Sequence, residues 1–332
     1  MLRTIRCTIE FTRVRTKIET MSGSTPSFAV IGAGGIGGYF GARLTQAGYP
    51  LTFVARGPHL EAMRKNGLTI NDRGTRETIA VRAVEDAKEI GPVDFVLVAV
   101  KLKDTQDAAE ASRALIGDET AVVSLQNGVE AESQIASVVG AAHVMGGVAE
   151  MSAFIAEPGV VERVGPNSIV RFGELDGTMS DRARRLEAAL SNAGVDCDLS
   201  SDITQAIWRK FILLTGLSAL TALTRKPIGA VRDDPDTHAL LEQVMQEAFD
   251  VACAKGVDLP EDVVADRMAF VAQLPYDIRA SMALDLERGK PLELPWLSGA
   301  VARLGRELGI STPANSFVYT ALKLHVDGET DT

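Results

Sequence analysis

The strongest constraint on the fold is a glycine-rich turn that follows a short apolar run. The run Phe28-Ala29-Val30-Ile31 leads into the spacing Gly-x-Gly-x-x-Gly, and residues 37–47 are predicted to continue as a helix. In a strand, turn and helix of this kind, the glycines let the backbone approach a pyrophosphate at the helix N-terminus. A second apolar strand is predicted at residues 51–55, and this context favours a dinucleotide site over an ordinary turn. The predicted cofactor-binding residues of the turn are Gly32, Ala33, Gly34, Gly35, Ile36 and Gly37.

The residue that ends the second strand indicates which dinucleotide binds. An NAD site usually carries an Asp or Glu about 20 residues beyond the glycines, where it binds the ribose 2′-hydroxyl. This chain has Arg56 at the end of that strand, followed by Gly57 and Pro58. A guanidinium can donate two hydrogen bonds to a 2′-phosphate, whereas a carboxylate would repel it. Arg56 therefore favours NADP (NADPH), and the alternative is a solvated surface arginine.

Length, charge and composition narrow the class of protein. A chain of 332 residues is too long for one ordinary core, so two domains are expected. The formal net charge of −10 argues against a nucleic-acid partner. No apolar run is expected to span a membrane, because the longest candidate, residues 211–223, is interrupted by Thr, Gly and Ser and predicts a buried helix. The scattered cysteines and histidines form no metal or redox motif, which indicates free thiols in a cytoplasmic protein; they are Cys7, Cys197, Cys253, His59, His143, His238 and His325.

Residues 1–25 form an N-terminal extension before the first strand. The segment is basic and poor in acidic residues, a composition that can mark a transit peptide. A disordered extension, or an upstream start codon with Met21 as the true start, explains it as well. These two alternatives are favoured, because Met21 begins an ordinary flexible leader.

The elements that follow predict an α/β arrangement. Continuous apolar runs at residues 94–100 and 121–125 are typical of parallel strands buried on both faces. Lys101 follows the first run and Asn127 follows the second, so both lie at carboxyl ends, where open parallel sheets bind ligands. The remaining predicted elements are a hairpin joining 68–70 to 78–81, a helix at 105–115, antiparallel strands at 160–164 and 169–173, and a helix at 180–193.

Beyond residue 200 the strand signals stop. Ser201 or Asp202 is expected to cap a long helix, and an apolar period near 3.6 predicts helices at residues 236–255, 260–273, 276–288, 291–308 and 313–325. We therefore expect an α/β Rossmann-type dinucleotide-binding domain at residues 26–200 and an all-α C-terminal domain at residues 201–332. The second domain would bind substrate, and a homodimer formed through it is compatible with the sequence.

Two residues of the helical domain are candidates for chemistry. Lys210 lies in the apolar segment Ile207-Trp208-Arg209-Lys210-Phe211, where it is either an interface residue whose amine reaches solvent or a functional one. Burial lowers the pKa of a lysine, so Lys210 could transfer a proton near neutral pH. Leu214 and Ser218 follow on the same helix face. Glu293 begins the helix predicted at residues 291–308, where a carboxylate could simply interact with the helix dipole.

These motifs together resemble the ketopantoate reductase family (2-dehydropantoate 2-reductase) from Phe28 to about Lys323. The resemblance rests on the glycine-rich turn with Arg56, Val100-Lys101, Gln126-Asn127-Gly128, Trp208-Arg209-Lys210-Phe211, and Ser281 followed by Glu293. It implies the NADPH-dependent reduction of a small 2-oxo acid, 2-dehydropantoate (ketopantoate), to pantoate in pantothenate biosynthesis. Hydride would be transferred to the C2 carbonyl.

The resemblance also implies a role for each matching residue. Lys210 would protonate the substrate carbonyl oxygen as general acid, and Glu293 would hold the hydroxyl and carbonyl end of the substrate. Asn127 would lie against the nicotinamide and the substrate. Lys101 would contact the cofactor, and Ser281 would help bind the substrate carboxylate.

Departures from the family pattern leave the substrate open. The family commonly has asparagines that touch the substrate where this chain has Leu214, Ser218 and Ile278. A paralogous reductase of another 2-oxo acid, or an enzyme that oxidises a hydroxy acid, is therefore an alternative. A non-catalytic NADP(H)-binding regulatory protein is disfavoured, because Lys210 and Glu293 are both present.

Overall fold

The computed structural model describes residues 25–328, and the predictions for residues 1–24 lie outside this range. Within it, ten strands form one sheet. In chain order they are β1 (Phe28–Ile31), β2 (Leu51–Val54), β3 (Leu68–Asp72), β4 (Thr75–Ile79), β5 (Arg82–Val84), β6 (Phe95–Val98), β7 (Ala121–Ser124), β8 (Val144–Glu157), β9 (Val160–Glu174) and β10 (Asp196–Leu199). The helices interspersed with them are α1 (Gly35–Gln46), α2 (Gly57–Asn66), α3 (Thr105–Ser112), α4 (Ala131–Val139) and α5 (Asp181–Asn192).

The strand order reverses at β1. Across the sheet the order is β4-β3-β9-β8-β7-β6-β1-β2-β5, and β10 pairs with β9. β1 is parallel to β2 on one side and to β6 on the other, with Phe28 opposite both Leu51 and Phe95. The chain first adds β2 and β5 on one side of β1 and later adds β6, β7 and β8 on the other. At such a reversal of strand order, a crevice opens at the carboxyl ends of β1 and β6. This topology confirms the predicted Rossmann-type fold.

α1 lies close to the sheet because glycines replace larger residues on its inner face. A Cβ on Gly37 would stand 2.2 Å from the carbonyl oxygen of Gly32. A Cβ on Gly41 would stand 2.5 Å from the ring of Phe53, which is fully buried. The close packing holds the N-terminus of α1 directly beside the end of β1.

A long antiparallel pair, β8 and β9, corrects one expectation. Residues 160–164 and 169–173, predicted as separate strands, both belong to β9, and their antiparallel partner is β8. The register passes from Met151 opposite Ser168 to Ser152 opposite Val164, so residues 165–167 form a bulge. Gly165 has a φ of 77° at this bulge. The break in the sequence pattern therefore marks a bulge within one strand instead of a turn between two.

After β10 the described chain is helical, as predicted. Its helices are α6 (Ile203–Thr224), α7 (Ile228–Asp233), α8 (Pro235–Ala254), α9 (Val263–Gln273), α10 (Ser281–Glu287), α11 (Ser298–Leu308) and α12 (Pro313–Leu322). The Asp202 carboxylate accepts a hydrogen bond from the Gln205 N–H at 2.9 Å, which confirms Asp202 as the cap of α6. Cys197 and Cys253 are free thiols, as expected, and Cys7 lies outside the described residues.

The helical region also corrects three expectations. α7 has no counterpart in the predicted pattern. The helix predicted at residues 276–288 begins at Ser281, because the carbonyls of Tyr276 and Ile278 accept hydrogen bonds from the first N–H groups of α7. The helix predicted at residues 291–308 begins at Ser298, after a 3₁₀ turn at Leu294–Trp296. Glu293 therefore precedes a short turn and does not begin an α-helix.

α6 is a central helix of this region. It has 22 residues and is long and apolar enough to cross a membrane, which corrects the expectation that no segment reaches that length. However, 61% of its apolar stretch is buried inside the protein, where it packs against α8, α10 and β8. Burial against neighbouring elements explains the composition and confirms the predicted buried helix.

Candidate active site

The glycine-rich turn is enclosed on two sides and open at Gly34. Gly32 has a φ of 98°, and a Cβ there would stand 2.8 Å from the backbone nitrogen of Val100. A Cβ on Gly35 would stand 2.1 Å from the carbonyl oxygen of Ala153, whereas a Cβ on Gly34 would meet nothing of the described chain within 4 Å. Gly34 precedes α1, and no side chain caps that helix. The uncapped N–H groups and the open space fit a dinucleotide pyrophosphate.

The other three residues of the turn support its shape. Ala33 is buried, and its carbonyl oxygen lies 2.8 Å from His59 Nε2. Ile36 is half-buried against the core of the α/β region. Gly37 permits the close approach of α1 to Gly32. Ala33 and Gly37 therefore shape the turn through the backbone.

Arg56 follows β2 and is largely exposed. Its guanidinium lies 3.2 Å from the carboxylate of Asp104, and 75% of its side chain is exposed. An exposed ion pair of this kind contributes little stability, so the guanidinium can turn towards a phosphate at small cost. Asp104 is a neighbour that sequence reasoning missed, because its surroundings resemble those of any surface acid.

Lys210 reaches from α6 to the sheet. Its ammonium donates to Asn127 Oδ1 at 2.9 Å and to the carbonyl oxygen of Ala149 at 2.8 Å. Desolvation lowers the pKa of Lys210 to about 8, while the carboxylates of Glu150 and Glu293 act to raise it. An ammonium with this pKa can give up a proton near neutral pH. Neither the Ala149 carbonyl nor Glu150 could be found from the sequence, because neither belongs to a motif.

Asn127 connects Lys210 to Glu293. Its Nδ2 donates to Glu293 Oε2 at 3.3 Å, while its Oδ1 accepts from Lys210. The other carboxylate oxygen, Glu293 Oε1, accepts from the backbone N–H of Leu102 at 3.3 Å. Glu293 is 8% exposed, and its side chain makes no cap to the turn that follows it. The carboxylate is therefore directed to the carboxyl edge of the sheet and does not cap the following turn.

Lys101 also joins the α/β and helical regions. Its ammonium lies 3.1 Å from Asp285 Oδ2 on α10 and 3.8 Å from Glu293 Oε2. Desolvation acts to lower the pKa of Lys101, but Glu293 and Asp285 raise it above its ordinary value. Lys101 thus stays a cation at the crevice. Asp285 was missed as a site residue because it lies 184 positions from its partner.

The other residues predicted to bind substrate are not joined by hydrogen bonds to Lys210, Asn127 or Glu293 in the described part of the chain. Ser218 is fully buried, and its hydroxyl has no hydrogen-bond partner in the described part of the chain. Leu214 is half-buried one turn after Lys210, and Ser281 is exposed at the start of α10. Residues 25–328 contain no cluster of three or more His, Cys, Asp or Glu side chains that could hold a metal ion.

The site combines a glycine-rich turn with a buried lysine of lowered pKa, an amide and a carboxylate on the same crevice. This combination defines a dinucleotide-binding oxidoreductase. The chain belongs to the ketopantoate reductase family: the model "Ketopantoate reductase PanE/ApbA" matches residues 28–177, and the model of the family's C-terminal region matches residues 202–326. It is therefore an oxidoreductase that acts on CH–OH groups.

Individual proteins are similar to this chain over most of their length. A 2-dehydropantoate 2-reductase of Mesorhizobium japonicum is 33% identical over 315 residues, which cover 89% of this chain and 96% of that protein. The crystal structure of a PanE/ApbA family ketopantoate reductase from Ralstonia eutropha JMP134 matches with a TM-score of 0.83 and 33% identity, over 90% of this chain and 98% of that one. A D-mandelate dehydrogenase solved with NADH and anilino(oxo)acetate shares the fold, with a TM-score of 0.83 and 22% identity over 90% of this chain and 97% of that one.

Proposed function

We propose that this protein reduces 2-dehydropantoate (ketopantoate) to pantoate with NADPH, as a step of pantothenate biosynthesis. The observation that carries the proposal is the hydrogen-bonded series of Lys210, Asn127 and Glu293 across the crevice. It offers a proton donor, an amide and a carboxylate to one small polar molecule. NADPH, when bound, supplies the hydride.

Lys210 is the proposed general acid. The oxygen of a 2-oxo acid gains alkoxide character as the carbonyl carbon is reduced, so a nearby cation stabilises the transition state. With a pKa of about 8, Lys210 is mostly an ammonium at neutral pH and has a proton to give. The Asn127 amide and the Ala149 carbonyl hold the ammonium in place before substrate binds. The neutral amine left after transfer is reprotonated from solvent.

Glu293 is proposed to bind the hydroxyl group of the substrate. Its carboxylate is held by the Leu102 N–H and by Lys101, which keeps both oxygens at the crevice. A carboxylate held in place accepts a strong hydrogen bond from a hydroxyl. Ser281 is the proposed hydroxyl donor to the substrate carboxylate, and the buried, unpartnered hydroxyl of Ser218 is proposed as a further contact to the substrate.

Arg56 supports NADP(H) as the dinucleotide. It follows β2, the position that carries an acidic residue in most NAD sites, and its exposed guanidinium can form two hydrogen bonds with a 2′-phosphate. Lys101 is proposed to approach the cofactor from the end of β6. A cytoplasmic location and a homodimer formed through the helical region stay predictions.

Leu214 favours a second candidate within the same reaction class. An apolar side chain half-buried one turn after Lys210 offers no hydrogen bond to a substrate hydroxyl. It would instead stabilise a substrate with an apolar branch or an aryl group. The second candidate is therefore an NADPH-dependent reductase of an apolar 2-oxo acid, or the reverse oxidation of the corresponding hydroxy acid.

Initial rates with a panel of 2-oxo acids test both candidates. Ketopantoate, ketoisovalerate and phenylglyoxylate are each offered with NADPH and with NADH, and the hydroxy acids are offered with the oxidised cofactors. We expect turnover with NADPH. NADPH binding without turnover of any substrate would contradict both candidates and favour a regulatory protein.

A further inference from the structure

His59 connects the glycine-rich turn to the turn between β8 and β9. Its Nε2 lies 2.8 Å from the carbonyl oxygen of Ala33. Its Nδ1 lies 3.0 Å from the backbone nitrogen of Gly159. One imidazole therefore bridges Ala33 and Gly159, which lie 126 positions apart in the chain. The bridge exists only in the folded state.

The two contacts determine the protonation state of the ring. The Gly159 N–H can only donate, so Nδ1 must present a lone pair. The Ala33 carbonyl can only accept, so Nε2 must carry the hydrogen. Neutral His59 with the proton on Nε2 satisfies both bonds. A protonated ring carries hydrogen on both nitrogens and loses the bond from Gly159.

The hairpin of β8 and β9 lies against the N-terminal half of α1. A Cβ on Gly35 would stand 2.1 Å from the Ala153 carbonyl oxygen, and one on Gly38 would stand 2.9 Å from Val161 Cγ2. These are close packing contacts without hydrogen bonds. The bridge through His59 adds a directional bond at the Ala33 carbonyl, next to the open side of the turn at Gly34.

We propose that His59 is a positioning residue for the dinucleotide site, and that its neutral form holds the glycine-rich turn in the conformation that binds the pyrophosphate. The inference rests on the dinucleotide site proposed above. Protonation of His59 releases the turn from the hairpin, so dinucleotide affinity falls as the pH decreases. The rate of the bound complex is unaffected, because His59 touches neither Lys210 nor the substrate residues.

The surroundings of His59 set the direction of its titration. Burial holds the pKa of His59 below its ordinary value of 6.5, although the bond to the Ala33 carbonyl acts to raise it. Glu61 is exposed on the same helix. Charged groups on the neighbouring elements have other partners: Arg56 pairs with Asp104, Arg64 donates to the Ala83 carbonyl, Glu157 pairs with Arg76, and Glu162 accepts from Asn71. His59 is therefore mainly neutral at pH 7, and its protonation requires a more acidic solution than that of an ordinary histidine.

The test measures the Kd of NADP⁺ by calorimetry from about pH 7.5 down to the lowest pH at which circular dichroism shows the protein still folded, because the pKa of His59 lies below that of an ordinary histidine. The variants are His59→Leu, which removes both bonds, and His59→Gln, which keeps an N–H near the Nε2 position and does not titrate. His143→Gln is the matched control, because His143 also bonds a backbone carbonyl, that of Thr120, away from the turn. Protonation of the 2′-phosphate of NADP⁺ also changes with pH and affects the Kd of every variant. The quantity compared at each pH is therefore the ratio of the Kd of the unmodified protein to the Kd of each variant.

At about pH 7.5, His59→Leu should raise the Kd by about 3- to 10-fold, the size of the one bond that His59 makes directly to the turn at Ala33, with kcat unchanged. The unmodified protein should lose affinity relative to His59→Gln as the pH falls, while His143→Gln follows the unmodified protein. If the Kd of NADP⁺ has the same pH dependence in the unmodified protein and in His59→Gln, the inference is overturned. This comparison holds even if His59→Leu does not fold. Failure of the unmodified protein to bind any dinucleotide would overturn the proposed function as well.

Discussion

Replacement of Lys210 tests the proposed proton donor most directly. Lys210→Ala removes the ammonium together with its bonds to Asn127 and the Ala149 carbonyl. A positioned general acid contributes about 10²–10⁴-fold to a rate, so kcat should fall by a factor in that range. NADPH affinity should survive, because the residues proposed to bind the dinucleotide lie on other elements. Lys226→Ala, an exposed change just beyond α6, is the control and should leave kcat unchanged.

The pH dependence of kcat gives a second, quantitative test of Lys210 as the proton donor. With a pKa of about 8, Lys210 is about 90% protonated at about pH 7 and about 10% protonated at about pH 9. Reduction requires the ammonium, so kcat of the unmodified enzyme should be about tenfold lower at the higher pH. Oxidation of the hydroxy acid requires the neutral amine, so its rate should rise over the same interval.

Glu150 allows the pKa of Lys210 to be changed without removing the lysine. Desolvation lowers that pKa, and the negative charge of Glu150 opposes it. Glu150→Gln should therefore move the alkaline decline of kcat to lower pH. Glu242→Gln, an exposed change on α8, should leave the decline in place.

Steady-state NADPH absorbance at saturating substrate measures all of these rates, and circular dichroism checks that each variant is folded. The reasoning is refuted if Lys210→Ala keeps most of its kcat. It is also refuted if kcat of the unmodified enzyme does not change between about pH 7 and about pH 9. Lys210 would then be a packed interface residue.

Three further changes test the remaining assignments. Arg56→Ala should weaken NADPH binding by about 1.5–3 kcal/mol, the value of a charge-assisted contact, and leave NADH binding nearly unchanged; an equal loss for both would contradict the 2′-phosphate assignment. Leu214→Asn should shift the ratio of kcat/KM values towards ketopantoate and away from ketoisovalerate and phenylglyoxylate. A strong ketopantoate preference in the unmodified enzyme would contradict the candidate function as a reductase of apolar 2-oxo acids. Glu247→Gln should lower the free energy of unfolding by about 1–3 kcal/mol, because the buried carboxylate accepts the first N–H groups of α12 at 2.8 and 2.9 Å; urea unfolding should show no such loss for the exposed change Glu242→Gln.

Local patterns predicted the elements that carry the site. The turn after β1 depends on residues adjacent in the chain, and the φ of 98° at Gly32 is a conformation that glycine adopts without strain. Lys101 and Asn127 could be placed because each directly follows a buried apolar run. The cap at Asp202 follows from a side chain that bonds an N–H three residues later.

Predictions from local pattern were wrong where the structure depends on pairing between remote segments. β9 was divided in two because Gly165 interrupts its apolar pattern, and the partner that shows the interruption to be a bulge is β8. The helix predicted before Ser281 is absent because those carbonyls bond to α7. Neither outcome is encoded within a window of a dozen residues.

The sequence by itself determined the family, the strand, turn and helix that form the dinucleotide turn, and the residue types available for proton transfer. Only the tertiary structure decided which of those groups meet. Lys210 and Asn127 lie 83 positions apart, and the pKa of Lys210 depends on how far the fold removes it from water and how near it brings Glu150 and Glu293. The bridge made by His59 is likewise a product of packing. Distances and desolvation arise from contacts between remote segments, so they exist only once the chain has folded.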